Sequence, residues 1–318
     1  MLAIVCPGQG AQKPGFLSPW LELPGVDAEL AALSEPAGLD LAQHGTVSDA
    51  DTIRDTAVAQ PLLVAAGILT AARLREAADD AGALPAADLI AGHSVGEVTA
   101  AALAGVLSDA DAMRLVAVRS RAMAGAAAAE PTGMAAVVGG VREEVLEAIS
   151  RHGLHPANIN SAGQVVAAGA VDAIAALGED APARARVIPL QVAGAFHTPY
   201  MAGAREELAA FAPTLSPSDP SAPLISNAGG EVVTDGSRYL DLIVTQVASP
   251  VDWEACMGAL RDSGVTAMLE VAPAGTLVGL AKRDLKGMAL ATLNTPDDLE
   301  TARALVREHA GTAAAQED

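Results

Sequence analysis

The chain runs to 318 residues, long enough to bury the core of one large body and a smaller one. Apolar residues make up 51% of it but aromatic residues only 2%, so the core has to be packed with Ala, Val and Leu, and the composition is globular rather than disordered. A formal net charge of −20 repels nucleic acid and anionic membrane surfaces, which excludes both as general partners.

The opening MLAIVCPGQGAQ carries no Lys or Arg ahead of its short apolar stretch, and no later run is read as long enough to span a bilayer, so a cytoplasmic protein is expected. LAIVC reads as a strand of five residues ended by Pro7 and Gly8. Apolar spacing then predicts a helix over 60–78 and an apolar strand over 87–91 that runs straight through Gly92-His93-Ser94-Val95-Gly96 into an Ala-rich helix. A further helix is predicted over 109–124. From 125 to 193 the pattern changes: GMAAVVGG as strand, VREEVLEAISRHG as helix, HPANIN and QVVAAG as strands, VDAIAALGE as helix, and ARVIPLQVAG as a last strand ending at 194. That order, β-α-β-β-α-β, predicts a small ferredoxin-like domain inserted at 125–193 into a parallel-sheet α/β body formed by 1–124 and 194–310. The proline-rich stretch 211–223 reads as a surface connection and 311–318 as a loose tail. Cys6 and Cys256 lie far apart and form no CxxC pair, which predicts two buried thiols.

A serine nucleophile works best on a tight strand-to-helix turn, which exposes its hydroxyl and aims a helix N-terminus at the charge that develops during attack. Gly92 and Gly96 supply the small residues such a turn needs on either side of Ser94. The competing reading is local: Ser94 and Glu97 also spell the S-x-x-E capping box that starts many helices, although a cap requires neither glycine. A serine hydroxyl needs a base to take its proton, and His197, in VAGAFHTPYM where the chain returns to the main body, is the best placed of the six histidines. His93 belongs to the turn and is expected to point away from the hydroxyl. His152 and His155 have ligand-like spacing, but no carboxylate is patterned with them, and no metal site is expected.

On a helical wheel of 109–124, Ala112, Leu115, Val116, Ala122 and Met123 form one apolar face with Arg119 in its middle, opposite Arg114 and Arg121. A buried guanidinium needs an anion, either a carboxylate elsewhere in the core or, beside a reactive serine, the carboxylate of a substrate, which its fork matches bidentately.

The residues together resemble the bacterial malonyl-CoA:acyl carrier protein transacylases and the related acyltransferase domains of polyketide synthases. The resemblance is carried by PGQGAQ at 7–12, GHSVGE at 92–97, the Arg119 helix, NINSAGQVVAAG at 158–169, GAFH at 194–197, QVASPVDW at 246–253 and LEVAPAGTLVGL at 269–280. Ala11 and Ala162 are its few departures, at positions where other small residues or proline also occur. The resemblance implies an α/β-hydrolase-like large domain and transfer of malonyl from malonyl-CoA to the phosphopantetheine thiol of an acyl carrier protein through a Ser94 intermediate, for fatty acid synthesis and, by the same chemistry, polyketide synthesis. It implies His197 as base in a dyad with no acidic third member, the backbone N–H groups of Gln9 and Val95 as oxyanion hole, Arg119 on the malonyl carboxylate, and Gln246 holding His197 through a carbonyl oxygen. Phe196 looks like the bulky residue that crowds a methyl-branched substrate. No cofactor is implied beyond coenzyme A and phosphopantetheine thioesters as substrates, and a monomer is expected. Lys282, Arg283 and Lys286 are a basic cluster on an otherwise acidic chain, which reads first as a solvated helix face and, as the alternative, as a surface that meets an acidic partner, the carrier protein under this resemblance. An esterase or thioesterase also uses GxSxG but carries its histidine near the C-terminus after an acid, whereas 121 residues follow His197 here. A catalytically silent carrier-binding protein would not need both Ser94 and His197.

Overall fold

The computed structural model of the protein describes residues 1–76 and 86–311. The end of the helix expected at 60–78 and all but the first residue of the expected tail lie outside the described residues. The strands, in chain order, are β1 (Leu2–Cys6), β2 (Leu89–Gly92), β3 (Thr132–Gly139), β4 (His155–Ser161), β5 (Gln164–Ala170), β6 (Ala185–Pro189), β7 (Leu224–Ile225), β8 (Val232–Val233), β9 (Val251–Asp252), β10 (Ala267–Glu270) and β11 (Ala289–Thr292). They form two sheets in a mixed α/β fold, β11-β10-β1-β2-β7-β8 and β6-β3-β5-β4-β9.

In the first sheet every pairing is parallel except the β7–β8 edge. Parallel strands covered on both faces need apolar residues at every position, which is why LAIVC is a continuous apolar run rather than an alternating one. Its side chains part by turns: Leu2, Ile4 and Cys6 enter the larger core with the helix Thr56–Arg75, while Ala3 and Val5 face Trp253, Met257 and Leu277 on the other side. In the second sheet β3 to β6 pair antiparallel, and one face packs on the helices Arg142–Arg151 and Val171–Glu179 through Val137, Val145, Ile149 and Leu177. The opposite face gives Met134, Val166 and Ala168 to the larger core. β9, which follows the helix Gly236–Gln246, adds a parallel strand to β4 through Asn158–Val251 and Ile159–Asp252. Arg142 and Glu254 form an ion pair of 2.5 Å beside that join.

Several sequence expectations change, and the helix expected over 109–124 runs on to Ala129. Thr56–Arg75 begins four residues earlier than expected because the Asp55 carboxylate caps it on the Ala57 N–H at 2.8 Å. It is also long and apolar enough to cross a membrane, against the expectation that no run reaches that length, yet nearly all of it is buried in the core against the helix Asp109–Ala129. The strand expected over 185–194 stops at Pro189. The Leu190 N–H still bonds the Met134 carbonyl at 2.9 Å, and past it the chain leaves the sheet to wall the cleft described next.

Candidate active site

β2 ends at Gly92 and the next helix, Gly96–Leu103, begins four residues later, so the chain reverses within one turn. Ser94 sits at its apex with φ of 55°, a left-handed conformation that costs a non-glycine residue on the order of 1–3 kcal/mol. The flanking glycines are sterically required. A Cβ on Gly92 would lie 2.0 Å from the Gly96 carbonyl carbon, and one on Gly96 would lie 2.2 Å from the Cys6 carbonyl oxygen. The turn is thus pressed onto itself and onto the end of β1.

The helix-cap alternative fails here. The N-cap position belongs to Val95, the Ser94 hydroxyl faces His197, and Glu97 turns inward instead of back to the Ser94 N–H. That N–H is taken by Asn227 Oδ1 at 2.8 Å, while Asn227 Nδ2 donates to the Gly92 carbonyl at 2.7 Å. One asparagine from the β7–β8 connection therefore clamps both sides of the turn.

Ser94 Oγ lies 2.7 Å from His197 Nε2, and His197 Nδ1 lies 2.8 Å from the backbone carbonyl of Gln246. A carbonyl can only accept, so Nδ1 carries the proton and Nε2 presents its lone pair to the serine. Burial above all, with the Arg119 charge added, pushes the His197 pKa down to about 3, against the favourable bond to Gln246. The imidazole is therefore neutral near pH 7 and able to receive a proton. His93 is turned elsewhere: its Nε2 lies 3.0 Å from Asn160 Oδ1 and its ring tilts against Trp253.

Arg119, from the helix Asp109–Ala129, is 1% exposed. Nη1 donates to Gln60 Oε1 at 2.6 Å, and Nη2 donates to Gln246 Oε1 at 2.8 Å with a longer contact of 3.5 Å to Ser94 Oγ. Its Nε has no partner among the described residues. The internal carboxylate considered as its anion exists, but not as a contact. Glu97 is fully buried nearby and bonds the Gln246 side-chain amide, so a neutral amide separates the two charges. Burial lowers the Arg119 pKa to about 10, which leaves the guanidinium charged at neutral pH.

Over the turn opens a cleft lined by Ser94, Val95, His197, Gln9, Gln60, Phe196 and His93, with Met123, Met134, Val166, Leu190 and Leu280 as apolar walls. Gln9 and Val95 have no acceptor for their backbone N–H groups among the described residues. Arg119 and Gln246 lie one layer beneath, reaching the cleft at Ser94 and Gln60. Lys282, Arg283 and Lys286 are exposed at and just beyond the end of the helix Thr276–Asp284, whose Thr276, Leu277 and Leu280 also line the cleft. His152 does have a carboxylate: Asp180, at 3.2 Å, which it shares with Arg151.

Sequence reasoning missed Gln60, Asn227 and the inward role of Glu97. Gln60 belongs to an apolar helix face, where an uncharged polar residue is a weak signal. Asn227 stands in SNAGG, which reads only as a turn.

A match to the acyl transferase domain family covers residues 3–311. The malonyl CoA-acyl carrier protein transacylase of Mycobacterium tuberculosis is 49% identical over 300 residues, covering 94% of this chain and 98% of the relative. The crystal structure of MCAT from Mycobacterium tuberculosis superposes with a TM-score of 0.91 at 48% identity, over 95% of this chain and 99% of that one. A malonyl-transacylase solved in complex with a type II PKS acyl-carrier protein gives a TM-score of 0.89 at 29% identity, over 95% and 99%. With an elbow serine on a neutral histidine beside a buried arginine, and near-complete coverage in both directions, the chain belongs to the acyl transferase family represented by the malonyl CoA-acyl carrier protein transacylases.

Proposed function

We propose that the chain moves the malonyl group from malonyl-CoA to the phosphopantetheine thiol of an acyl carrier protein, in fatty acid synthesis and by the same chemistry in polyketide synthesis. The observation that carries this reading is the 2.7 Å contact of Ser94 Oγ with His197 Nε2, with the Arg119 guanidinium 3.5 Å from the same oxygen. His197 takes the Ser94 proton as Oγ attacks the thioester carbonyl. The oxyanion is received by the Gln9 and Val95 N–H groups, and the proton passes to the departing coenzyme A thiol. A carrier-protein thiol then runs the same steps in reverse, so the net reaction exchanges one thioester for another. Gln246 holds the imidazole through its backbone carbonyl, Arg119 pairs the free carboxylate, and Phe196 crowds a branch on the acyl carbon.

The division into a catalytic body of 1–124 and 194–310 with a small domain at 125–193 accompanies this reading, supported by a second sheet in which β3 to β6 all come from 125–193 and the main body adds only β9. A monomeric cytoplasmic enzyme is part of the same proposal. Intact mass after mixing with malonyl-, methylmalonyl- and acetyl-coenzyme A tests the reaction and the donor together. The malonyl adduct is expected to accumulate and to vanish when carrier protein is added. No malonyl adduct, or an equal methylmalonyl adduct, would overturn the reaction or the role of Phe196 respectively.

For the carrier protein we place docking at Lys282, Arg283 and Lys286, at and just beyond the end of the helix that reaches the cleft. Reversing Lys282 and Arg283 to Glu is expected to raise KM for carrier protein by about tenfold, from roughly 1.4 kcal/mol of lost attraction, and to leave KM for malonyl-CoA unchanged. An unchanged carrier KM would remove these residues from the docking surface.

A further inference from the structure

The proposed chemistry leaves a buried carboxyl close to Ser94 without a task. Glu97, in the first turn of the helix that follows the serine, is fully buried. It accepts the Asn227 N–H at 2.7 Å and the Gln246 side-chain amide. The titratable groups that face it come from several elements: Arg119 from Asp109–Ala129, Tyr239 from Gly236–Gln246, and Cys256 from Trp253–Asp262. Cys6 of β1 lies behind Tyr239, and His197 stands on the far side of Gln246. Burial raises both thiols and the phenol and lowers the imidazole, so all four are neutral near pH 7. Arg119 is left as the cation. It reaches Glu97 through Gln246, which donates Nε2 to the carboxylate and accepts Arg119 on Oε1 at 2.8 Å.

We propose that Glu97 is the counter-charge of Arg119 in the empty site and surrenders that charge on loading: when an acyl group bearing a free carboxylate is placed on Ser94, Glu97 takes up a proton from solvent. The inference rests on the reading of Arg119 as the partner of the acyl carboxylate. Two carboxylates sharing one guanidinium in a site screened from water repel strongly, and the one able to titrate yields. Burial already pushes the Glu97 carboxyl up to about 7, so the group is poised to respond. The transfer itself is proton-neutral. Ser94 loses a proton to the coenzyme A thiol, which stays mostly protonated at pH values below the ordinary range of a thiol, about 8.5 for cysteine. Any net uptake therefore reports a group outside the reacting atoms. By linkage, protonating Glu97 also tightens the site for a carboxylated acyl group.

The test mixes the full chain with stoichiometric malonyl-CoA in weak buffer, with a pH indicator counting protons and intact mass counting adduct. The expected uptake is a large fraction of one proton per malonyl group at about pH 7.5, vanishing by about pH 5.5, where Glu97 is already protonated in the empty site. Acetyl-CoA, which brings no carboxylate, is expected to give acetyl adduct without uptake, and E97Q to give malonyl adduct without uptake. Adduct with no uptake at any pH, or equal uptake with acetyl-CoA or with E97Q, would overturn the proposal. Failure to form malonyl adduct would instead overturn the transfer reading on which it rests. The acetyl arm and the pH dependence use the unaltered protein, so the test stands even where E97Q does not fold.

Discussion

Ser94→Ala is expected to abolish the malonyl adduct in intact mass and to lower transfer by at least about 10³-fold. Alanine keeps the Cβ that serine already has at φ of 55°, so the turn is no more strained than before. Asn227 still clamps its backbone, because both clamping bonds go to main-chain atoms. The loss is therefore chemical rather than structural. His197→Ala is expected to cost a comparable factor, since the two side chains act as one unit and a serine without its base is a poor nucleophile. Circular dichroism and thermal unfolding check that both variants remain folded. A persistent adduct in folded Ser94→Ala would place the nucleophile elsewhere.

Arg119→Ala is expected to lower malonyl transfer by about 10² to 10³-fold while acetyl transfer changes less than about tenfold. Removing one partner of a buried, hydrogen-bonded charge pair costs on the order of 2–5 kcal/mol, and each 1.4 kcal/mol is about tenfold. The acetyl substrate has no carboxylate to lose. The substitution also strips a donor from Gln60 Oε1 and from Gln246 Oε1 and leaves Glu97 without its cation, so some loss of thermal stability accompanies it. The ratio of malonyl to acetyl transfer separates the two effects. An equal fall in both would make Arg119 a structural residue that supports Gln246 and through it His197. Arg119→Lys keeps the charge but not the planar fork, and is expected to recover only part of the malonyl rate.

The legible parts of the site were those written within a few residues of one another. Gly92, Ser94 and Gly96 announce the turn because each glycine answers a contact made inside it or with the strand beside it. Arg119 announces itself because a charge on an apolar face contradicts its own helix. Even there the local signal stops short, since its partners Gln60 and Gln246 lie 59 and 127 residues away. Glu97 shows the opposite failure. Its spacing from Ser94 suits a helix cap, and only the packing of two other elements turns it inward to Asn227 and Gln246. Helix ends were misplaced where a side chain outside the apolar pattern, such as Asp55, sets the cap.

By itself the sequence determined the apolar strands of a covered parallel sheet, the order of elements from 132 to 189, the glycine-flanked serine turn and the misplaced arginine. These depend on period, on steric size and on the cost of burying charge, all of which act along a short stretch of chain. The tertiary structure decided which buried polar groups meet. His197 reaches Ser94 across 103 residues, Asn227 reaches it across 133, and Gln246 joins the serine, the histidine, the arginine and the glutamate in one network. A hydrogen bond needs its partner within about 3 Å in a fixed direction, and that condition is met only after sheet order and helix packing have brought distant segments together.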